Sequence, residues 1–386
     1  MGRFKHRLEE LVVVNDKQIQ KAGENSQQIQ AGTISITNVM GIDEKRAREI
    51  FNEMYVIARR DFSKDAYECA NKRVAQFEES LMPKIMQIDG ALEKFADPSF
   101  QFLITEAHKT AAATERVADY DLLSELLVHR IQKGEKNRKV RTGIARAVEI
   151  VDQIDDDALC ALTVSHTVAK LLPVSGYIKN GLDVLEKIFE KLIYGELPKG
   201  QEWLEHLEIL DAVRLTPFGT LKTVEQFYSE QLEGYTCVGI AKESNNYSEA
   251  LSLLEDNQLF SNMFLVEHEL LDGYVRLPIC NKEAINSLQL ISKPIVNGQQ
   301  FGEVHIDLSE EQKSMLGKIY DLYDKNDELK KEVSKRFMDE WNKRNALLML
   351  KDWWDNIPVS FSITAVGTVL AHANAQRCDQ SIPPLE

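Results

Sequence analysis

From Asp43 onward, apolar residues recur every three or four positions, a period that commits most of this chain to amphipathic helices. Asp43 is placed to cap the first, with Ala47, Ile50, Phe51, Met54, Ile57, Ala58 and Phe62 along one face. Ala66, Ala70, Val74, Phe77 and Leu81 continue the stripe to Pro83, which is expected to end it, and a further helix is expected over residues 86–96. Asp97-Pro98 punctuates, and Ser99 is read as the cap of a helix reaching Glu115. In the next helix, residues 120–132, Leu122, Leu123, Leu126, Leu127 and Ile131 face inward. Helices follow over residues 140–152, 156–172, 179–194 and 201–210. Ordinary lengths and short connections predict a packed α domain rather than a coiled coil.

Strand signals are short and scattered. Val213-Arg-Leu-Thr-Pro-Phe-Gly219 precedes a helical run over 221–227, and Phe361-Ser-Ile-Thr-Ala-Val-Gly367 precedes another over 369–375. Each looks like a strand turning into a helix, as in the segment after the wing of a winged-helix module. Further strands are expected over 235–240, 274–279 and 301–308, with a helix over 248–254. Ser309 and Gln312 form a capping box opening one long helix, its stripe running Leu316, Ile319, Leu322, Leu329, Val333, Phe337 and Trp341. Trp341, Trp353 and Trp354 are expected to pack the last subdomain.

The front of the chain differs. QIQKAG at residues 18–23 is echoed by QIQAG at 28–32, and Thr33-Ile-Ser-Ile-Thr37 alternates polar and apolar. Glu24-Asn25-Ser26 between the copies is turn chemistry. Two or three short strands in isolation are marginal and leave an unpaired edge. The expectation is self-association through this arm, carried by Ile19, Ile29, Gly32, Ile34 and Ile36.

The fold class is therefore mainly α with small β elements (α+β). Residues 1–40 form a β arm and 41–175 a helical domain. Residues 176–300 make a helix/strand subdomain with the LTPFG turn, and 301–386 a C-terminal subdomain with the ITAVG turn. The two helix/strand subdomains are expected to be winged-helix-like.

A length of 386 residues with 44% hydrophobic content provides a real core, while a net charge of −15 repels nucleic acid and anionic membranes at long range. No apolar run approaches the roughly 20 residues of a membrane span. Leu11–Val14 is too short for a signal peptide, and five scattered cysteines without a C-x-x-C pair read as reduced thiols, so a cytoplasmic location is expected.

The segment AGENSQQIQAGTISI, the helix start at Gly41-Ile42-Asp43-Glu44 and the tail HANAQRCDQSIPPLE resemble a family of uncharacterised bacterial cytoplasmic proteins. That family carries a Gly-Asn-Ser-Gln-Ile-Gln-Ala-Gly arm before a helical body. Over residues 95–220, FQFLITEAHKTAAATERVADYDLLSELLVHRI, DDALCALTVSHTVAKL and WLEHLEILDAVRLTPFG are loosely similar to abortive-infection proteins of the alpha type. That resemblance implies a part in bacterial defence against phage through regulated assembly or a protein partner, and it brings no catalytic residue.

Among groups able to carry chemistry, the sharpest is HRIQKGEKNRKVRTGIAR, residues 129–146. Arg130, Lys133, Lys136, Arg138, Lys139, Arg141 and Arg146 face a single acid, Glu135. Such a cluster suits phosphate, with arginine supplying planar bidentate contacts, although no aromatic residue interleaves it for base stacking. Its alternative is a solvated turn. Glu303, His305 and Asp307 alternate along a strand and are weak metal candidates; Glu267, His268, Glu269 and Asp272 lack the spacing of two histidines on one helical face. Asp155, Asp156 and Asp157 precede a helix, where negative charge suits the dipole. No phosphate-binding glycine loop, nucleophile elbow or zinc spacing occurs, and no cofactor is implied. The leading expectation is a non-enzymatic, self-assembling interaction protein. The alternatives are a nucleic-acid-responsive regulator using the basic cluster and a metal-dependent hydrolase.

Overall fold

The computed structural model describes residues 44–133, 137–216, 218–292, 295–296, 299–300 and 304–385. The chain divides into two units, residues 1–67 and 68–386. In the first, the described residues are helical; the arm residues Ile19, Ile29, Gly32, Ile34 and Ile36 lie outside the described residues. The second holds the rest of the fold.

Helix α1 (Glu44–Met86) runs past Pro83 and stops within one turn of it. The helix expected over 86–96 is instead a turn followed by a 3-10 helix, Ala91–Ala96. Gly90, with φ of 72° in the left-handed region, breaks the chain direction there. Helix α2 (Pro98–Ala113) is capped by Asp97 rather than Ser99: the carboxylate accepts the Ser99 N–H at 2.8 Å, with Pro98 in the first position, where its missing N–H costs nothing. Then come α3 (Val117–Lys133) and α4 (Arg138–Ile150), the latter capped by Asn137, and α5 (Asp156–Lys170). Asp155 sits at the α5 N-cap without a side-chain bond, so its acidic neighbours act through charge, Asp156 also pairing with Arg116 at 2.9 Å.

Every residue of α5 from Ala158 to Val168 is buried, the polar Thr163, Ser165, His166 and Thr167 among them, so the helix runs through the interior. Beyond it lie α6 (Ile178–Leu192), α7 (Glu202–Ile209), β1 (Val213–Thr216), α8 (Val224–Gln231), α9 (Glu233–Thr236) and β2 (Ile240–Ala241). The strand expected over 235–240 is thus mostly helix and turn. Next are α10 (Asn245–Asp256), α11 (Ser261–Phe264), β3 (Val266–Glu267) and β4 (Tyr274–Arg276). Strands β5 (Gln289–Ser292), β6 (Ile295–Val296), β7 (Gln299–Gln300) and β8 (Val304–Asp307) follow.

The single long helix expected after Ser309 is two, α12 (Glu310–Asp321) and α13 (Asp327–Trp341). The Ser309–Gln312 capping box is present. Asp324 accepts the Asn326 N–H, and Asn326 then caps α13, so local side-chain bonds outcompete continuation of the helix. Helix α14 (Asn345–Trp354), β9 (Ser360–Ile363) and α15 (Ala365–Cys378) close the chain.

The two strand-to-helix segments meet. β1 pairs antiparallel with β9, Val213 opposite Ile363 and Thr216 opposite Ser360, so segments expected in separate subdomains share one ribbon. Gly367 allows this, since a Cβ there would stand 2.0 Å from the Ala212 carbonyl oxygen. Three cores result. The first joins α2, α3, α4, one end of α5 and α15; the second joins the other end of α5 with α6, α8, α13 and α14; the third lies under β2, β4, α10 and α12. Trp341 is fully buried, and all three tryptophans of this region donate to carbonyl oxygens, of Leu347, Pro198 and Lys222. Among the described residues, no helix is long and apolar enough to cross a membrane.

Candidate anion-binding site

A cleft of about 560 Å³ opens where α2, α3 and α4 come together. Its parts follow from helical spacing. Ser99 and Leu103 lie one turn apart on α2, and Arg138, Arg141, Thr142 and Ala145 form the i, i+3, i+4, i+7 stripe of α4. Arg130 enters from the last turn of α3 and is only 6% exposed. A buried guanidinium cannot shed its proton, so it must be paired. Its Nη2 donates to Ser99 Oγ at 3.0 Å and stands 3.8 Å from an Asp97 carboxylate oxygen. Arg141 Nη2 donates to the same Ser99 oxygen at 3.2 Å, while Ser99 Oγ donates to Asp97 at 2.9 Å. The N–H and O–H of Ser99 hold the Asp97 carboxyl below its ordinary range against desolvation, with lesser help from the charges of Arg130 and Arg141.

The structure therefore divides the basic cluster. Arg130, Arg138 and Arg141 line one cleft; Lys139 and Arg146 do not, the latter pairing with Glu149 at 2.8 Å. Lys136 lies outside the described residues. Ser99, which completes the site, comes from a helix some 30 residues upstream, and only its place beside a helix start marked it in the sequence.

The His268 and Glu269 candidates serve the structure. His268 Nε2 donates to the Cys237 carbonyl at 2.9 Å and Nδ1 accepts the Leu270 N–H at 3.1 Å, so both ring nitrogens are used and burial lowers its pKa to about 4. Glu269 accepts the first N–H groups of α6, from Ile178 at 2.6 Å and Lys179 at 3.2 Å, and pairs with the fully buried Arg276 at 3.1 Å. Asp307 accepts from Gln289 at 2.8 Å across the β5–β8 ladder, in which His305 lies opposite Ile291; Glu303 is outside the described residues. Among the described residues, no group of three or more histidine, cysteine or acidic side chains is arranged to hold a metal.

One cluster was invisible in the sequence. His129, His166 and His372 come from α3, α5 and α15 and are all at least 96% buried, with ring centroids 5.5 Å and 5.4 Å from His372 to the other two. Their partners fix the tautomers. Gln376 Nε2 donates to Ile382 O at 2.9 Å, so its Oε1 faces His129 Nε2, which must donate. His372 Nε2 donates to Pro383 O at 2.9 Å, leaving Nδ1 to accept from His166 Nε2 at 3.2 Å. His129 Nδ1 is buried without a partner. Burial, then the charge of neighbouring His372 and Lys170, lowers the pKa of His166 to about 4. Burial, then His129, takes His372 to about 4 against the Pro383 bond. Burial lowers His129 too, opposed by Gln376 and Glu125. The three are neutral at pH 7 and hold the C-terminal residues in place.

A family model described as ":-like" matches residues 41–382. No curated protein and no solved structure matches the chain.

Proposed function

The chain belongs to the family that this model describes, and on that premise we propose that it is a non-catalytic binding protein whose α2–α3–α4 cleft receives an anion. The observation that carries this reading is the convergence of Arg130, Arg138 and Arg141 on one cleft, with Arg130 more than nine-tenths buried. Three permanently charged guanidiniums meet at the cleft, where Asp97 is the carboxylate that the described residues place against Arg130, and such a group of arginines suits a negatively charged guest. Ser99 holds two of the guanidiniums in place before any ligand arrives, so little side-chain freedom is lost on binding.

Chemistry in the cleft is disfavoured by the same groups. Ser99 donates to Asp97, the geometry of a nucleophile and base, but the Ser99 amide and hydroxyl, with the nearby arginines, hold the Asp97 carboxyl below its ordinary range. A carboxylate so stabilised is a poor proton acceptor near neutral pH.

Thermal melts of the full chain in low salt test the reading. Inorganic phosphate or sulfate at about 100 times its dissociation constant is expected to stabilise the fold by about 2.7 kcal/mol. Thr142→Glu, which places a carboxylate among the arginines, is expected to abolish that gain. Equal melting temperatures with and without either anion count against the proposal.

A further inference from the structure

We infer that the guest is a small phosphate monoester, entering phosphate first, rather than the diester backbone of a nucleic acid; this rests on the anion reading above. The depth of Arg130 carries the argument. Its side chain is only 7% exposed, so a phosphate must insert into the cleft to reach it. A terminal phosphate presents three free oxygens on one end and can do so. A diester phosphate is flanked on both sides by sugars and meets only the rim, where Arg138 is exposed.

Charge selects the same class. Three arginines line the cleft among the described residues, and a monoester carries about −1.5 to −2 at pH 7 against −1 for each diester unit. The remaining walls, Leu103, Thr142 and Ala145, offer methyl groups and one hydroxyl but no aromatic face on which a base would stack. A volume of about 560 Å³ fits a small metabolite, and the chain's net charge of −15 repels a polyanion before contact.

Calorimetric titration of the full-length protein with glycerol 3-phosphate, inorganic phosphate and a 20-nucleotide DNA in single- and double-stranded form decides the matter. Glycerol 3-phosphate is expected to bind one per chain, and its affinity to fall as pH drops from 7 to 5, because the second phosphate proton returns near pH 6. Arg138→Ala, at an exposed position, and Arg141→Lys, which keeps charge but loses the fork, are each expected to weaken binding about ten- to a hundredfold while circular dichroism stays unchanged. DNA binding that weakens steeply with salt and requires Arg138, with no monoester binding, overturns the monoester inference and leaves an anion site standing. Monoester binding indifferent to pH or to both variants overturns it as well. If phosphate, monoester and DNA all fail to bind, the anion site falls with it.

Discussion

His129 and Arg130 are consecutive residues on α3, both buried, and they answer burial in opposite ways. The imidazole can release its proton, so it enters the core neutral and joins His166 and His372 in a buried cluster bonded to Pro383. The guanidinium cannot, so it needs Asp97, Ser99 and a solvent-facing cleft. A single step along the helix thus separates a region whose charge has been extinguished from one whose charge has been kept and aimed. A buried histidine can thus shed its charge, whereas a buried arginine keeps it and must be paired.

Four experiments probe that contrast. Ending the chain at Asp379 removes Ile382, which is buried, and the carbonyls that accept from Gln376 and His372. About 2 kcal/mol of lost burial and about 1 kcal/mol for each stranded donor give an expected loss of about 4 kcal/mol in urea melts. The anion affinity of the folded fraction is expected to hold; a matching fall in affinity would mean that the two regions are one device.

Acid comes next. The histidines have folded pKa values below the unfolded 6.5, so the unfolded chain binds more protons between pH 6.5 and about 4. Their contribution is complete above pH 6.5 and is lost as pH falls toward 4, on the order of 3 kcal/mol for each of His166 and His372. His372→Gln is expected to lose less stability than the parent chain over that window. Parallel pH profiles would show that the cluster does not set acid sensitivity.

Asp97→Ala addresses the other side. It removes the α2 cap and lowers the melting temperature, yet frees Arg130 of the Asp97 carboxylate, so anion affinity is expected to rise about fivefold. A fall in affinity would show that Asp97 positions the arginines more than it competes with the guest. The smallest effect is expected from Arg146→Ala. Arg146 belongs to the same basic stretch but pairs with Glu149 at the surface. Stability is expected to change by less than about 0.5 kcal/mol, with anion binding unaltered in titration; weakened binding would extend the site beyond the cleft.

Much of the helical body was legible, because one-sided apolar spacing is a local property. The α3 stripe from Leu122 to Ile131 and the Ser309–Gln312 capping box stand as read. Helix ends were less so. Asp97 displaced Ser99 as the cap of α2 because its carboxylate reaches the Ser99 amide, and Asn326 broke the helix after Asp321 despite an unbroken apolar stripe. The β1–β9 ribbon was missed as a pairing: its strands are about 150 residues apart, and four-residue strands carry no register information of their own.

From the sequence come a charge-dense turn near residue 138, the helices that flank it, and the lack of any local motif that would bring catalytic chemistry with it. It took three-dimensional packing to have Arg130 and Arg141 share Ser99, to leave Lys139 and Arg146 aside, and to bring three histidines from three helices together in the core. The reason is physical. Helical period tells which residues share a face, whereas the packing of α2, α3, α4, α5 and α15 sets which faces meet, and that packing depends on contacts spread over more than two hundred residues.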